Sequence, residues 1–165
     1  MSFKKGALLT GAFIVFLLAA LISWYEGGQL RDNPLEWPHT AVFSNWANDG
    51  FTHADNLWVL DHFVYAAKFE PLFPLAMVIS FFYIVFQLVF WLFEERRTVR
   101  NAILLLMAVA SFTSCYVLID SPTTGFKLFS FLFAMVGIGS VFGLFSFKTN
   151  KSSAIADKNV KEIDV

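Results

Sequence analysis

The sequence predicts an all-α fold: a four-helix transmembrane bundle with a helix-containing extracytoplasmic loop between its first and second spans. Three observations predict it. The 12 basic and 13 acidic residues leave four uncharged windows, 6–25, 71–93, 101–119 and 128–147, of 20, 23, 19 and 20 residues. Crossing a hydrocarbon core of about 30 Å takes roughly 20 apolar residues at about 1.5 Å rise each. Hydrophobic residues make up 57% of the chain and mean hydropathy is +0.61, above the roughly 45–50% apolar usage of soluble domains. A soluble bundle would need polar outer faces on these helices, and the windows have none. The third observation is stretch 24–71, which holds all three histidines (His39, His53, His62), four of the five tryptophans and a cluster of carboxylates.

Spans are expected at about 6–25, 71–93, 102–119 and 126–147, forming one membrane domain over 1–147. After Lys4 and Lys5, the first apolar run is long for a signal peptide and ends in Trp24 and Tyr25, not in small cleavage-site residues. A retained signal-anchor helix is predicted. Ala7 with Gly11 and Ala19 with Ser23 place small residues at helical spacing, where a neighbour can approach. Trp24 and Tyr25 suit the interfacial aromatic belt, and Gly27-Gly28 ends the helix.

Loop 26–70 carries seven acids against two bases. Its first half is rich in breakers: Asn33-Pro34, Trp37-Pro38 and Asn48-Asp49-Gly50. Its second half reads as a helix from Asp55 to Lys68, with Thr52 as N-cap and Asp55 three residues on. Leu57, Leu60, Val64 and Ala67 share one face, and Trp58, His62 and Tyr65 line the strip beside it. Such a helix would lie on the bundle or in the interface, apolar side down.

Pro71 and Pro74 suit the first turn of the second span, with Glu70 at its positive end and Gln87 its one amide. Segment 94–100 is short enough for an antiparallel hairpin. The third span carries Ser111, Thr113 and Ser114, and Asp120-Ser121-Pro122 turns the chain into the fourth. Gly139 and Gly143 at i, i+4 in that span predict close helix packing, within the bundle or in a homo-oligomer. Tail 148–165 is polar, and disorder is expected there.

Nine Lys and Arg fall in the N-terminus, the second loop and the tail, against three (Arg31, Lys68, Lys127) on the other side. The positive-inside rule then puts both termini in the cytoplasm of a multi-pass plasma-membrane protein.

Candidate chemistry gathers at the outer interface. Glu26, Asp61, Lys68, Glu70, Asp120 and Lys127 stand at span and helix ends and are expected in one polar layer, either a ligand pocket or a set of ion pairs and caps. Trp24, Trp37, Trp46, Trp58 and Tyr65 are the candidate contact aromatics. No catalytic residues are expected: there is no GxSxG or Ser/His/Asp pattern, and no ionisable residue lies inside a span to serve a pump. No metal or cofactor is expected. Asp55 and His62 lie seven apart, about 10 Å by helical rise, too far to share an ion, and the lone Cys115 excludes Cys-pair chemistry. A net charge of −1 argues against nucleic acid. The partners left are the lipid bilayer, another membrane or extracytoplasmic protein, and a second copy.

At Trp24-Tyr25-Glu26-Gly27, Glu36-Trp37, Phe43-Ser44-Asn45-Trp46 and 65–71 (YAAKFEP) the chain resembles the YjdJ-like family. These are small multi-pass membrane proteins of Bacillus and its relatives, a domain of unknown function. The resemblance covers the first half to two thirds of the chain. It implies a Gram-positive plasma membrane and carries over no catalytic residues. The expected function is that of a non-enzymatic accessory, immunity-like or sensory protein acting by contact through the aromatic loop. The alternative is a small-molecule or lipid-binding membrane enzyme or carrier that uses the polar layer.

Overall fold

Helices build the whole of the computed structural model, which describes residues 3–47 and 53–163. They are α1 (Phe3–Gly27), α2 (Trp37–Thr40), α3 (Val42–Ala47), α4 (Val59–Phe69), α5 (Leu72–Leu92), α6 (Arg97–Ile119) and α7 (Thr124–Ile163), with 3₁₀ turns at Gly28–Asp32, Pro34–Glu36 and Ala54–Asn56. Four segments, Phe3–Asp32, Leu72–Leu92, Arg97–Ile119 and Thr124–Phe145, are long and apolar enough to cross a membrane. Large apolar side chains on all of them face outward, Leu106 (72% exposed) and Phe142 (73%) among them. Water would penalise such a surface, whereas hydrocarbon does not.

α1, α6 and α7 overrun their uncharged windows, because a charge marks the end of an apolar surface and not of a backbone hydrogen-bond ladder. α1 takes in Lys4 and Lys5, and α6 begins at Arg97. Arg100 is thereby buried in the first turns of α6, its guanidinium 5.9 Å from the centre of the Phe90 ring. α7 continues to Ile163, through the segment whose polar composition suggests disorder. That segment has no Gly or Pro to stop a helix.

Two hairpins form the bundle. α1 packs along α5 and α6 along α7, while the two pairs touch each other sparingly. Phe82 of α5 meets Phe133 of α7 edge-on, ring centroids 6.1 Å apart. α4 joins the pairs at one end, packing on α1, α5 and α7.

Close approach explains particular glycines. A Cβ on Gly27 would lie 1.9 Å from the His62 carbonyl oxygen, and one on Gly125 would lie 2.2 Å from that of Ala67. Backbone of α1 and α7 thus grips α4 from two sides. Gly137 abuts the Phe112 ring (2.9 Å), and Gly143 meets Leu104 and Phe90 (3.3 Å each). Of the expected Gly139–Gly143 pair, Gly143 packs within the bundle, whereas Gly139 is exposed with open space where a side chain would stand. The buried stripe of α7 runs through Val136, Gly137 and Ser140, and Gly139 falls beside it. On α1, Ala19 and Ser23 are buried as the spacing predicts, Ser23 Oγ donating to the Ala19 carbonyl (2.7 Å). Ala7 and Gly11 are exposed and mark no contact.

Gly27→Ala and Gly125→Ala should each loosen α4, since forced overpacking costs about 1–3 kcal/mol. Hydrogen exchange of the α4 amides should then quicken about tenfold, with Gly139→Ala unchanged.

Candidate functional site

Residues 28–47 and 53–70 fold into a cap on one end of the bundle. Its small core is Leu30 and Ala41, both fully buried, with Tyr65 (8% exposed), and Trp37 and Leu57 pack against it. Pro34 and Pro38 stand in the first turns of short helical pieces, where a missing N–H costs nothing. Two side chains tie those pieces together. Trp37 Nε1 donates to the Leu30 carbonyl and Asn45 Nδ2 to the Trp37 carbonyl, both at 2.9 Å.

Asp61 is the hub. Its side chain is fully buried and accepts from the backbone N–H of Phe43 (2.8 Å), the N–H of Ser44 (2.9 Å) and the Ser44 hydroxyl. These amides open α3 and have no partner within that helix, so a carboxylate from α4 caps α3 at its positive end. Ser44 Oγ in turn accepts from the Trp58 N–H (2.8 Å). That bond accounts for a correction. The helix predicted from Asp55 begins at Val59, with Trp58 in the N-cap position and Leu57 and Trp58 extended. The Trp58 N–H is committed to Ser44, and the Trp58 carbonyl accepts the Asp61 N–H (3.0 Å). The proposed cap Thr52 lies outside the described residues.

A second polar cluster is built on Lys68, whose Nζ donates to Glu36 Oε2 and to Thr40 Oγ1 (3.2 Å), with Thr40 Oγ1 donating to Glu36 Oε2 (3.0 Å). The Lys68 hydrogen bond, followed by weaker causes, holds the Glu36 carboxyl below its ordinary value. Lys68 also lies 4.8 Å from the Phe69 ring centre. Arg31 and Asp55 pair at 3.2 Å but are both well exposed, so their pairing adds little stability.

The expected polar layer is thus divided. Asp61 and Lys68 are each turned into the cap on separate partners. Glu26 keeps one buried carboxylate oxygen without a hydrogen-bond partner among the described residues, close enough to Glu70 to feel its charge. Asp120 and Lys127 are exposed, and no ion pair links either to the others among the described residues. The contact aromatics divide too. Trp37 and Tyr65 belong to the cap core, whereas Trp24 (48%), Trp46 (83%) and Trp58 (45%) are exposed.

Sequence reasoning missed Ser44, Glu36 and Thr40. Glu36 and Ser44 stand within the motifs that carry the family resemblance, but nothing local points to their partners on α4, Lys68 and Asp61, which lie 32 and 17 residues away. His62 is buried with neither ring nitrogen hydrogen-bonded among the described residues. Burial first, then the charge of Arg31, lowers its pKa against an opposing effect of Asp61.

Beneath α4 lies an apolar groove of about 570 Å³. Leu60, Phe63, Val64 and Ala67 roof it, and residues of α1, α5, α6 and α7 wall it. Of the expected face Leu57–Leu60–Val64–Ala67, the last three line the groove, whereas Leu57 precedes α4 and packs against the cap core.

Asp61→Ala should strip acceptors from two buried amides and a hydroxyl, at about 1–3 kcal/mol for each group left unsatisfied. Limited trypsin digestion should then cut at Arg31 and Lys68 while the spans keep their helicity. The cap should also lose stability on acidification, in two windows. A buried histidine with a lowered pKa opposes protonation in the folded state, so stability falls as pH drops below the ordinary histidine value of 6.5. A carboxylate with a lowered pKa adds stability that is lost as pH falls from 4.5 through its folded value. His62→Gln should flatten the first window and Glu36→Gln the second in thermal melts read by near-UV circular dichroism.

Comparison with known proteins bears on the α1–cap–α5 half. The family model described as a domain of unknown function, DUF4306, matches residues 7–93. The Bacillus subtilis (strain 168) uncharacterized protein YjdJ is 34% identical over 76 residues, which cover 45% of this chain and 70% of that protein. No solved structure matches. The aromatic motifs of the first loop thus lie inside the matched region, and the chain belongs to the YjdJ-like family of unknown function, DUF4306.

Proposed function

We propose that this is a non-enzymatic membrane protein of the plasma membrane, acting by contact through its cap, which stands outside the cell with both termini in the cytoplasm. The observation that carries the reading is how the cap spends its polar groups. Asp61, Ser44, Lys68, Glu36 and Thr40 bond to one another and to backbone, which holds the cap as one stiff body. Among exposed polar residues, that body also turns large apolar side chains outward: Leu35 (85% exposed), Trp46 (83%) and Trp58. Rigid aromatic side chains make strong contact anchors, because little side-chain freedom is lost when they are covered. The partner is another membrane or extracytoplasmic protein, in an accessory, immunity-like or sensory role. The excess of Lys and Arg at the opposite end of the spans supports the orientation.

A photocrosslinking residue at Trp46, activated in growing cells, should yield a discrete protein adduct, weakened at least tenfold by Leu35→Asp. Adducts to lipid and to the protein's own cap, with no other protein captured, contradict the reading.

A further inference from the structure

We propose that the groove beneath α4 holds one acyl chain of a membrane phospholipid. This rests on the four segments crossing a bilayer and is independent of what the cap contacts. Every residue that lines the groove is apolar, from Phe16 and Ala20 on α1 to Phe126 and Phe129 on α7. Its α5 wall runs from Pro74 to Phe81, seven residues or about 10 Å. Phe81 stands near the middle of α5, so the groove reaches from the cap to mid-span, within one leaflet of a core about 30 Å thick.

The groove is open along one side. Leu60 and Phe81, on roof and wall, are each 48% exposed. At the depth of Phe81 the surroundings of a spanning helix are hydrocarbon, so a lipid tail enters sideways without crossing water. The sparing contact between the two hairpins leaves this space, and Phe82 against Phe133 joins them beside it.

A spanning helix from a second copy would meet α4, which closes the cap end of the groove, whereas a flexible chain bends beneath it. A groove this size left empty would forfeit dispersion contacts along all its walls. Its volume lies within the range of about 300–1,000 Å³ typical of ligand sites.

The test uses the full chain in nanodiscs containing phosphatidylglycerol with a diazirine on one acyl chain, with adducts mapped by mass spectrometry. The expected result is enrichment of at least fivefold at Met77, Phe81 and Phe129 over the lipid-facing positions Leu106 and Phe142. Ala20→Trp, which fills the groove, should cut the groove adducts about tenfold and leave those at Leu106 and Phe142 unchanged. Three results overturn the proposal: adducts spread evenly over all exposed apolar positions, crosslinks from the groove walls to a second copy, or no lipid adduct at all. The wild-type map decides by itself should the tryptophan variant fail to fold.

Discussion

One buried carboxylate organises the part of this molecule that is not simply apolar helix. Asp61 sits on α4, and its oxygens satisfy the opening amides of α3 and the Ser44 hydroxyl. Fully enclosed, its polar oxygens would be costly without those three donors. With them it fixes where α3 lies against α4. Ser44 passes the constraint on to Trp58, so the start of α4 is set by a residue 14 positions before it. Without this link, residues 28–58 would be short turns with a core too small to hold them, since Leu30, Ala41 and Tyr65 bury little area.

The cap and the bundle depend on each other through α4. Its inner side is clasped by glycines of α1 and α7, its polar residues reach into the cap, and its apolar side covers the groove. An 11-residue helix is marginal by itself, so α4 is held by tertiary contacts on three sides. That arrangement turns the weak joint between the two hairpins into a roofed space. The cap and the groove are therefore built on opposite faces of the same element.

Much of the fold was legible in the sequence, because lipid imposes a blunt rule: a stretch without charge and long enough to cross is a span. The four spans, the apolar face Leu60–Val64–Ala67, and the buried pair Ala19–Ser23 all follow from period and composition. Less could be read where partners are far apart in the chain. The sequence reading extended α4 back to Asp55, since a hydrophobic spacing does not reveal that the Trp58 amide is already bonded elsewhere. Gly139–Gly143 had the right spacing, yet a motif does not say which side of a helix meets its neighbour. Gly27 and Gly125 matter more, and only the approach of α4 reveals why. The polar layer was inferred from the ends of spans and helices, and grouping by depth cannot distinguish Asp61 and Lys68, aimed at different partners, from a shared pocket.

The central claim is a folded cap, locked by Asp61, on the outer end of four spans. Cysteine labelling in intact cells with a membrane-impermeant maleimide tests it most directly, in a Cys115→Ser background. Cysteines replacing Leu35 or Trp46 should react at once, and those replacing Thr40 or Ala41 should react only when Asp61→Ala is added. Equal reactivity at all four positions, or reaction only after the cells are permeabilised, would contradict the account.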